Sequence, residues 1–332
     1  MNSRISGLGA YRPSLVVDNE EIGARLGTGA EWITRRTGIR SRRYAAAHET
    51  LPFMAVAAGR AALEAAASPG SELDCVIIAT QTHLMQTPPL APEIAHRVGA
   101  PRTSGAFDLR AACAGFCVAL AFARDLIASG SARRILIVAA EQVSPFIDRD
   151  DRDTAMIFGD GAGAAVVEAS DEWGVGATVW GSDGSLGGAL QTGTTWVEYA
   201  ADRTLPRPTI SMDGGALVRS VLRHGPEMIS RALNAAGLTF ADINALITHQ
   251  ANARIIDMLV RRLDLPEHVA VARDIEYAGN TGGASVPLAM QQLLDSGGAK
   301  PGDLALLVGY GAGFVHAAQV VRLPEHVRSA GA

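Results

Sequence analysis

The sequence predicts an α/β fold made of two similar halves. The chain has 332 residues, of which 48% are hydrophobic and 19% are charged, so it can bury a large core. Short apolar runs alternate with longer segments of helical period, which is the pattern of α/β proteins. The same order of helix, acidic turn and buried strand also occurs twice. The runs of strand length lie at 75–79, 135–140, 245–248 and 304–309.

The repeat sets the two halves in register. Residues 61–66 precede the strand 74–80 as residues 232–236 precede the strand 242–248. The helix-ending glycines Gly130 and Gly297 lie 167 positions apart. Generic alternation of helices and strands would produce some similarity of this kind, and that alternative stays open.

The same spacing relates two polar residues. Cys113 and Asn280 are also 167 positions apart and are predicted to be equivalent, while His249 ends a second-half strand whose counterpart ends at Thr80. Residues 1–170 form the predicted N-terminal half, and residues 171–332 form the C-terminal half, with 169–175 joining them. If both sheets sandwich buried helices, the three side chains meet at one end of the strands, where α/β sheets bind ligands.

Composition and charge exclude several classes of function. The net charge of −5 argues against non-specific nucleic-acid binding, which needs a cationic surface. The alanine-rich stretch 54–67 contains Arg60 and Glu64 and is shorter than the roughly 20 apolar residues of a membrane span. The first residues lack signal-peptide features, and three cysteines are too few for a disulfide framework. We therefore expect a cytoplasmic protein.

Cys113 is the candidate nucleophile. It lies among small residues directly before an apolar helix predicted at 114–128. Helix N-termini favour thiolates, so the sequence predicts a lowered thiol pKa. The alternative is a buried cysteine that acts only as a small hydrophobe, which is our interpretation of Cys75 and Cys117. A metal site is not expected, since further ligands at zinc-site spacing are missing.

Two polar residues of the second half are candidates for hydrogen bonding to a substrate. His249 follows a buried strand and is placed for proton transfer or hydrogen bonding, although a core histidine would give the same pattern. Asn280 lies in a glycine-rich loop before a helix, where a simple N-cap is the alternative. The glycine-rich loop 309–314 could direct backbone N–H groups at an oxyanion, or be a structural turn.

Four motifs together resemble the β-ketoacyl-acyl-carrier-protein synthase III family. They are AACAGF at 111–116, FGDGAGA at 158–164, HQAN at 249–252 and GNT at 279–281. They occur in the family's order and span nearly the whole chain. The resemblance implies the thiolase fold, with two pseudo-symmetric halves in a layered α-β-α-β-α arrangement. It also implies a homodimer.

The resemblance also implies the chemistry. The Cys113 thiolate would attack an acyl-CoA, while the backbone N–H groups of Cys113 and Ala312 hold the oxyanion. His249 and Asn280 would then stabilise the enolate formed when malonyl-acyl-carrier protein loses carbon dioxide. That enolate attacks the acyl-cysteine. Coenzyme A and phosphopantetheine thioesters are substrates here, and no cofactor is expected.

Further residues match the family's binding positions. By this resemblance, those expected to contact coenzyme A or its pantetheine arm are Trp32, Arg36, Arg152 and Asn252. Two arginines, Arg219 and Arg254, are expected to contact the acidic carrier protein.

The acyl pocket departs from acetyl-selective relatives. Its expected residues are Thr87 and Leu90, in a segment that would reach across the dimer, and Val218, which replaces a bulky aromatic of some relatives. Both positions indicate a longer or branched starter, as in polyketide synthesis. The loop after Asn280 has Gly-Gly-Ala where many members have Ser-Ala-Ala, and Ala312 replaces a common glycine.

Condensation has several alternatives that share part of this sequence pattern. The main alternative is a synthase III-like acyltransferase that passes the acyl group to a hydroxyl or amine, with His249 as general base. A degradative thiolase would need a second cysteine after Cys117. Chalcone-synthase-like enzymes are typically longer and lack the Trp32 and Arg36 entrance, and a non-catalytic partner subunit usually loses the cysteine.

Overall fold

The structure is a computed structural model that describes residues 1–331. Its strands are β1 (Asn2–Tyr11), β2 (Leu15–Asp18), β3 (Ser41–Tyr44), β4 (Cys75–Ala79), β5 (Gly105–Leu109), β6 (Arg134–Glu141), β7 (Gly161–Ser170), β8 (Val179–Gly181), β9 (Leu190–Thr192), β10 (Ile210–Met212), β11 (Ala245–Thr248), β12 (Ala270–Val271), β13 (Leu304–Tyr310), β14 (His316–Arg322) and β15 (Val327–Ser329). Its helices are α1 (Asn19–Leu26), α2 (Ala30–Thr37), α3 (Leu51–Ala65), α4 (Ala91–Arg97), α5 (Gly115–Ala128), α6 (Trp196–Ala201), α7 (Gly214–Ala236), α8 (Ala253–Leu263), α9 (Ile275–Ala278) and α10 (Ser285–Asp295).

Two mixed sheets form the framework. The first has the order β15-β1-β7-β6-β4-β5, and the second has the order β12-β11-β13-β14-β8. In both, a central pair of parallel strands, β4 with β6 and β11 with β13, carries the loops of the candidate site at its carboxyl end. Strand β15 comes from the C-terminal end of the chain but joins the first sheet beside β1. The boundary between the halves at residue 170 stays a prediction.

Helices and sheets stack in five layers. Helices α5 and α10 lie between the sheets and contact strands of both. Helix α3 covers the outer face of the first sheet, and α7 with α8 covers the outer face of the second. The predicted layered α-β-α-β-α arrangement is therefore confirmed.

The strands are apolar throughout because both faces of each sheet are covered. Along β4, Ile77 faces the core between the sheets, while Val76 and Ile78 face the outer core under α3. Successive side chains of a strand point to opposite faces, so a doubly covered strand has no polar positions. This explains the unbroken apolar runs in the sequence.

The predicted register between the halves is wrong at the active-site loops. A short 3-10 turn precedes each central helix, at Ala112–Ala114 and Gly282–Ala284, and both turns begin with a residue of positive φ. These turns are 170 positions apart. The spacing falls to 167 at the helix ends because α5 has 14 residues and α10 has 11. Asn280 therefore lies before the turn that contains the counterpart of Cys113.

The strands follow the same corrected register. Cys75 pairs with Ile135 in the first half, and Ala245 pairs with Ala305 in the second, each shifted by 170. His249 thus corresponds to Ala79 and not to Thr80. The sequence prediction failed because it took the spacing between the halves from the ends of the central helices. Helix α10 is shorter than α5, so the spacing at the helix ends differs from the spacing at the active-site loops.

The segment 183–213 covers the site. It contains a 3-10 turn at Gly184–Ala189, the small antiparallel pair β9 and β10, and the short helix α6. A capping box between Thr195 and Glu198 starts α6.

Candidate active site

Cys113 lies in a tight turn between β5 and α5. The preceding residue, Ala112, has φ +47°, a conformation that costs energy for a residue with a β-carbon. Gly311 packs directly on this turn, and a β-carbon there would lie 2.5 Å from the Cys113 backbone nitrogen. The turn is therefore held in place by the loop after β13, and it presents Cys113 at the start of α5, as the sequence predicts.

The prediction of a lowered thiol pKa is wrong. Cys113 is 3% exposed. Burial, followed by the nearby Glu141 carboxylate, raises the pKa of Cys113 to about 12, while a hydrogen bond from Gln81 lowers it. Burial removes water from the thiolate, and this penalty outweighs the favourable position at the helix start.

His249 is buried, neutral and fixed in orientation. Burial lowers its pKa to about 3. Its Nδ1 lies 2.7 Å from the Ser285 Oγ, which also accepts a hydrogen bond from the Gln250 N–H. The Ser285 hydroxyl can donate its proton to Nδ1, and in that arrangement the imidazole proton lies on Nε2. His249 can therefore donate a hydrogen bond from Nε2 at neutral pH.

Asn280 is held by backbone and side-chain contacts. Its N–H donates to the Ile157 carbonyl at 2.9 Å, and its carbonyl accepts from Gly159 at 3.0 Å. Its side-chain Oδ1 accepts from the Gly282 N–H at 2.9 Å, which leaves Nδ2 as a free donor. The glycine motif at 158–164 thus positions Asn280, and Gly159 has no room for a side chain since a β-carbon would lie 2.4 Å from the Ala278 carbonyl oxygen.

One cavity of about 540 Å³ brings the three predicted catalytic side chains together. Its lining includes Cys113, His249 and Asn280, together with Arg36 and Asn252. Its remaining walls are mainly apolar, from the 156–158 segment, α7 and α8. Residues that are far apart in sequence therefore meet at one site, as the sequence predicted.

A second cavity, of about 560 Å³, opens on the other side of Cys113. It is lined by the loop after β4, by the end of β5 and by the covering segment 183–213. Cys113, Phe158 and Leu190 line both cavities, and Ala312 lines the second. The thiol thus lies where two chambers meet.

The predicted coenzyme A residues lie in different environments. The Arg36 guanidinium stacks over the Trp32 ring at 5.4 Å and lies 3.7 Å from the Asp153 carboxylate. The Arg152 guanidinium instead donates to the Leu26 carbonyl and does not line either cavity. Asn252 lines the first cavity and caps α8, accepting from the Arg254 N–H.

The two predicted carrier-protein arginines both line the first cavity. Arg254 is engaged within the chain, since it donates to the Thr34 and Arg35 carbonyls and pairs with Asp257 at 3.3 Å. Among residues 1–331, Arg219 makes no such ion pair. Contact of either arginine with a carrier protein stays a prediction.

The structure corrects part of the predicted acyl pocket. Leu90 is 1% exposed, packs in the core under α3 and lines neither cavity. Thr87 is exposed, and its neighbours Gln86 and Pro89 line the second cavity. Val218 lines the first cavity, with the entrance residues, and not the second.

Three polar residues of the site were missed by sequence reasoning. Gln81 contacts the Cys113 sulfur, Glu141 is buried beside Gly282 and Gly283, and Ser285 orients His249. Glu141 gave a usable signal, since it is a charged residue that ends an otherwise apolar strand run. The Gly-Gly pair after Asn280 is also explained, because β-carbons there would lie 3.1 to 3.3 Å from Glu141.

Within residues 1–331, no group of three or more His, Cys, Asp or Glu side chains is arranged to hold a metal ion. None of the helices in this part of the chain is long and apolar enough to span a membrane.

Comparisons with known proteins identify the family. Residues 107–184 match the family model of 3-oxoacyl-[acyl-carrier-protein] synthase III, and residues 233–323 match the model of its C-terminal part. The chain is 48% identical over 319 residues to the β-ketoacyl-[acyl-carrier-protein] synthase III of Mycobacteroides abscessus, covering 96% of this chain and 94% of the relative. It is 47% identical over 323 residues to that of Streptomyces lividans, covering 97% and 95%.

Solved structures agree with this assignment. The priming β-ketosynthase of the R1128 polyketide biosynthetic pathway superposes with a TM-score of 0.95 at 47% identity, covering 98% of this chain and 97% of that one. The synthase III of Pseudomonas aeruginosa PAO1 superposes with a TM-score of 0.89 at 34% identity, covering 99% and 100%. The chain has the thiolase fold and belongs to the β-ketoacyl-acyl-carrier-protein synthase III family of condensing enzymes.

Proposed function

We propose that the enzyme joins an acyl group from coenzyme A to malonyl-acyl-carrier protein by decarboxylative Claisen condensation through an acyl-Cys113 intermediate. The observation that carries this is the single cavity shared by Cys113, His249 and Asn280 in a member of the synthase III family. The product begins a fatty acid or polyketide chain.

In the first half-reaction, the Cys113 sulfur attacks the thioester carbonyl of the acyl-CoA. A carbon–sulfur bond to Cys113 forms as the thiol proton leaves to solvent and the bond to the coenzyme A sulfur breaks, and the coenzyme A thiolate takes up a proton. The Cys113 and Ala312 N–H groups are proposed to hold the oxyanion. Both residues lie in short 3-10 turns, where early N–H groups have no partner within the turn.

In the second half-reaction, the malonyl thioester enters the first cavity. His249 Nε2–H and Asn280 Nδ2–H donate to its carbonyl oxygen, so the enolate formed by loss of carbon dioxide is stabilised. The enolate carbon then attacks the acyl carbonyl, and the Cys113 thiolate leaves. A neutral histidine suits this role, because a pKa of about 3 keeps the imidazole neutral near pH 7, where its Nε2–H can still donate a hydrogen bond.

The entrance and acyl residues complete the proposal. Coenzyme A and the pantetheine arm would bind along the first cavity past Arg36 and Asn252, with Trp32 and Arg152 at the adenine end. Arg219 and Arg254 would meet the carrier protein. The acyl chain would occupy the second cavity, whose volume of about 560 Å³ supports a starter longer than acetyl or branched.

We also infer that the enzyme is a cytoplasmic homodimer that needs no resident cofactor. Edge strand β5 has no strand beyond it in its sheet, and its Phe107 is 36% exposed. Leu84 and Met85, in the loop after the neighbouring strand β4, are 57% and 59% exposed, which supports a covered interface on this side. Three buried free cysteines suit a reducing compartment. The proposed chemistry uses only side chains and backbone donors.

The test is mass spectrometry of the pure protein with a panel of acyl-CoAs and malonyl-acyl-carrier protein. An acyl adduct on Cys113 and a ketoacyl product are expected, with longer or branched starters favoured over acetyl. No adduct on Cys113 would overturn the proposal. An adduct without carbon dioxide release would instead identify an acyltransferase acting on a hydroxyl or amine.

Variants separate the two half-reactions. Cys113→Ala should abolish acyl loading, because the nucleophile is lost. His249→Ala and Asn280→Ala should each lower decarboxylation by roughly a hundredfold or more while loading is less affected, since their donors act on the malonyl carbonyl. Equal losses in both half-reactions would contradict this division.

A further inference from the structure

We propose that Gln81 is a catalytic residue whose side-chain amide donates a hydrogen bond to the Cys113 sulfur, both when the sulfur attacks and when it leaves. The inference deepens the proposed function and rests on Cys113 being its nucleophile. It assigns to the loop after β4 a direct part in the chemistry.

The contact is seen in the structure. Gln81 Nε2 lies 3.8 Å from the Cys113 Sγ, and within residues 1–331 it is the side-chain group that donates to this sulfur. Gln81 is half-buried and lines the second cavity next to Cys113. A bond to a neutral thiol is weak, but a bond to a thiolate is charge-assisted and shorter. The amide therefore favours the charged form of the sulfur.

Hydrogen bonds to Glu141 hold Gln81 in this position. The Glu141 Oε2 accepts from the Gln81 backbone N–H at 3.3 Å and from the Thr82 hydroxyl at 2.8 Å. The Thr80 hydroxyl also lies 3.3 Å from the same oxygen. Glu141 is 1% exposed, so this anchor is shielded from water. The loop backbone is thus fixed, and the side chain extends from it toward the sulfur.

The sulfur needs such a donor because its surroundings oppose a negative charge. Burial and the Glu141 carboxylate both raise the pKa of the Cys113 thiol, and the Gln81 amide is the side chain that lowers it. His249 is neutral, and Tyr310 is protonated, since burial and the nearby Cys113 raise its pKa. Besides the nearby Glu141, the titratable or charged side chains that line the two cavities are Arg36, His83, Asp108, Arg110, Asp153, Arg219, His249, Arg254 and Tyr310.

The same bond serves both half-reactions. During loading, the sulfur–carbon bond to Cys113 forms while the bond from carbon to the coenzyme A sulfur breaks, and the thiol proton leaves to solvent. During condensation, a carbon–carbon bond forms while the Cys113 sulfur–carbon bond breaks and the thiolate leaves. In each step, Gln81 donates a hydrogen bond to the sulfur while the sulfur carries charge. Gln81 itself forms and breaks no covalent bond.

The test replaces the amide with a group of similar size that cannot donate. Gln81→Met should lower the rate of Cys113 alkylation by iodoacetamide about tenfold between about pH 7 and 9, because alkylation follows the thiolate fraction. Acyl loading should fall by a similar factor. The matched control is Gln292→Met on α10, outside both cavities, which should leave both rates unchanged.

A second variant separates a direct bond from a packing effect. Gln81→Glu keeps the shape but replaces the donor with a carboxylate, so it should slow alkylation at least as much as Gln81→Met, and the loss should grow as pH rises through the carboxyl pKa. Alkylation profiles of both variants that match the wild type would overturn the proposal. A slower alkylation of Cys113 in Gln81→Met together with wild-type alkylation rates in Gln81→Glu would overturn it as well.

Alkylation needs no acyl-CoA, so its outcome is separate from that of the proposed function. If the wild type forms no acyl adduct, the proposed function fails while the alkylation profile still tests the Gln81 contact. If loading occurs but the alkylation profile ignores Gln81, the function stands and this inference fails.

Discussion

At the scale of single residues, burial decides the protonation states in the site. It raises the pKa of Cys113 to about 12 and lowers that of His249 to about 3, so both are neutral in the unliganded protein. A neutral pair avoids charging a water-poor site before substrate arrives. The thiolate must then be stabilised locally, by hydrogen bonds and by the helix start, when it forms.

Ser285→Ala tests the orientation of His249. Without the hydroxyl bonded to Nδ1, the imidazole can place its proton on either nitrogen, so the Nε2 donor is lost part of the time. We expect carbon dioxide release from malonyl-acyl-carrier protein to fall about tenfold, while Cys113 loading is kept. Ser129→Ala, at the exposed end of α5, is the control. Equal loss of loading and decarboxylation would show a general structural role instead.

Glu141→Gln tests how a buried carboxyl links stability to pH. Burial raises the pKa of Glu141 from 4.5 to about 7. The folded protein thus binds more protons than the unfolded chain between these pH values, so its stability falls as pH rises through that window. The amide of the variant cannot ionise, and the fall should be smaller. Urea unfolding at several pH values checks this, with Glu172→Gln at an exposed position as the control. A free energy of unfolding that falls with pH as steeply in Glu141→Gln as in the wild type would contradict it.

At the scale of elements, the catalytic turns depend on close contact between the two halves. The loop after β13 lies against the turn before α5, and the 157–159 segment bridges to Asn280. Glycines at these contacts allow backbone atoms to approach where a β-carbon would not fit. The site is thus built between elements, not within one.

Gly311→Ala should disturb the Cys113 turn. Its β-carbon would lie 2.5 Å from the Cys113 nitrogen and 2.8 Å from the Ala112 β-carbon, so the loop or the turn must shift. A misplacement of about 1 Å at reacting groups costs about a hundredfold in rate, and we expect acyl loading to fall by about this factor. Gly187→Ala, which has open space around it, should load normally. Full activity of the Gly311 variant would show that the contact is dispensable.

At the scale of the whole molecule, the covering segment and the open edge of the first sheet define the surroundings of the second cavity. Residues 190–192 and Trp196 close one side, while Leu84 and Met85 stand exposed on another. A second copy of the chain that covers this edge would complete the wall of the second cavity, which is proposed to hold the acyl chain. Subunit assembly and starter choice would then be linked.

Phe107→Arg tests the proposed dimer at β5. A charge on the exposed edge strand should oppose burial of that edge, so light scattering after gel filtration should show a monomer mass where the wild type is expected to show a dimer mass. Phe122→Arg, on the 42% exposed Phe122 of α5, is the matched control and should stay dimeric. A dimer that survives the change at Phe107 would place the interface elsewhere.

The sequence by itself determined the α/β class, the layered duplication, the family and the meeting of Cys113, His249 and Asn280. These follow from apolar periodicity and from short local motifs, both of which can be seen along the chain. The register between the halves was missed because α5 and α10 differ in length, which a spacing taken at helix ends does not show.

Only the tertiary structure decided the electrostatics and the supporting contacts. The neutral state of Cys113 depends on burial by distant segments, and the proton position on His249 depends on Ser285, 36 residues away. Gln81 reaches the sulfur because a carboxyl 60 residues further on fixes its loop. Such effects depend on which groups are packed together and kept from water, and long-range folding sets this.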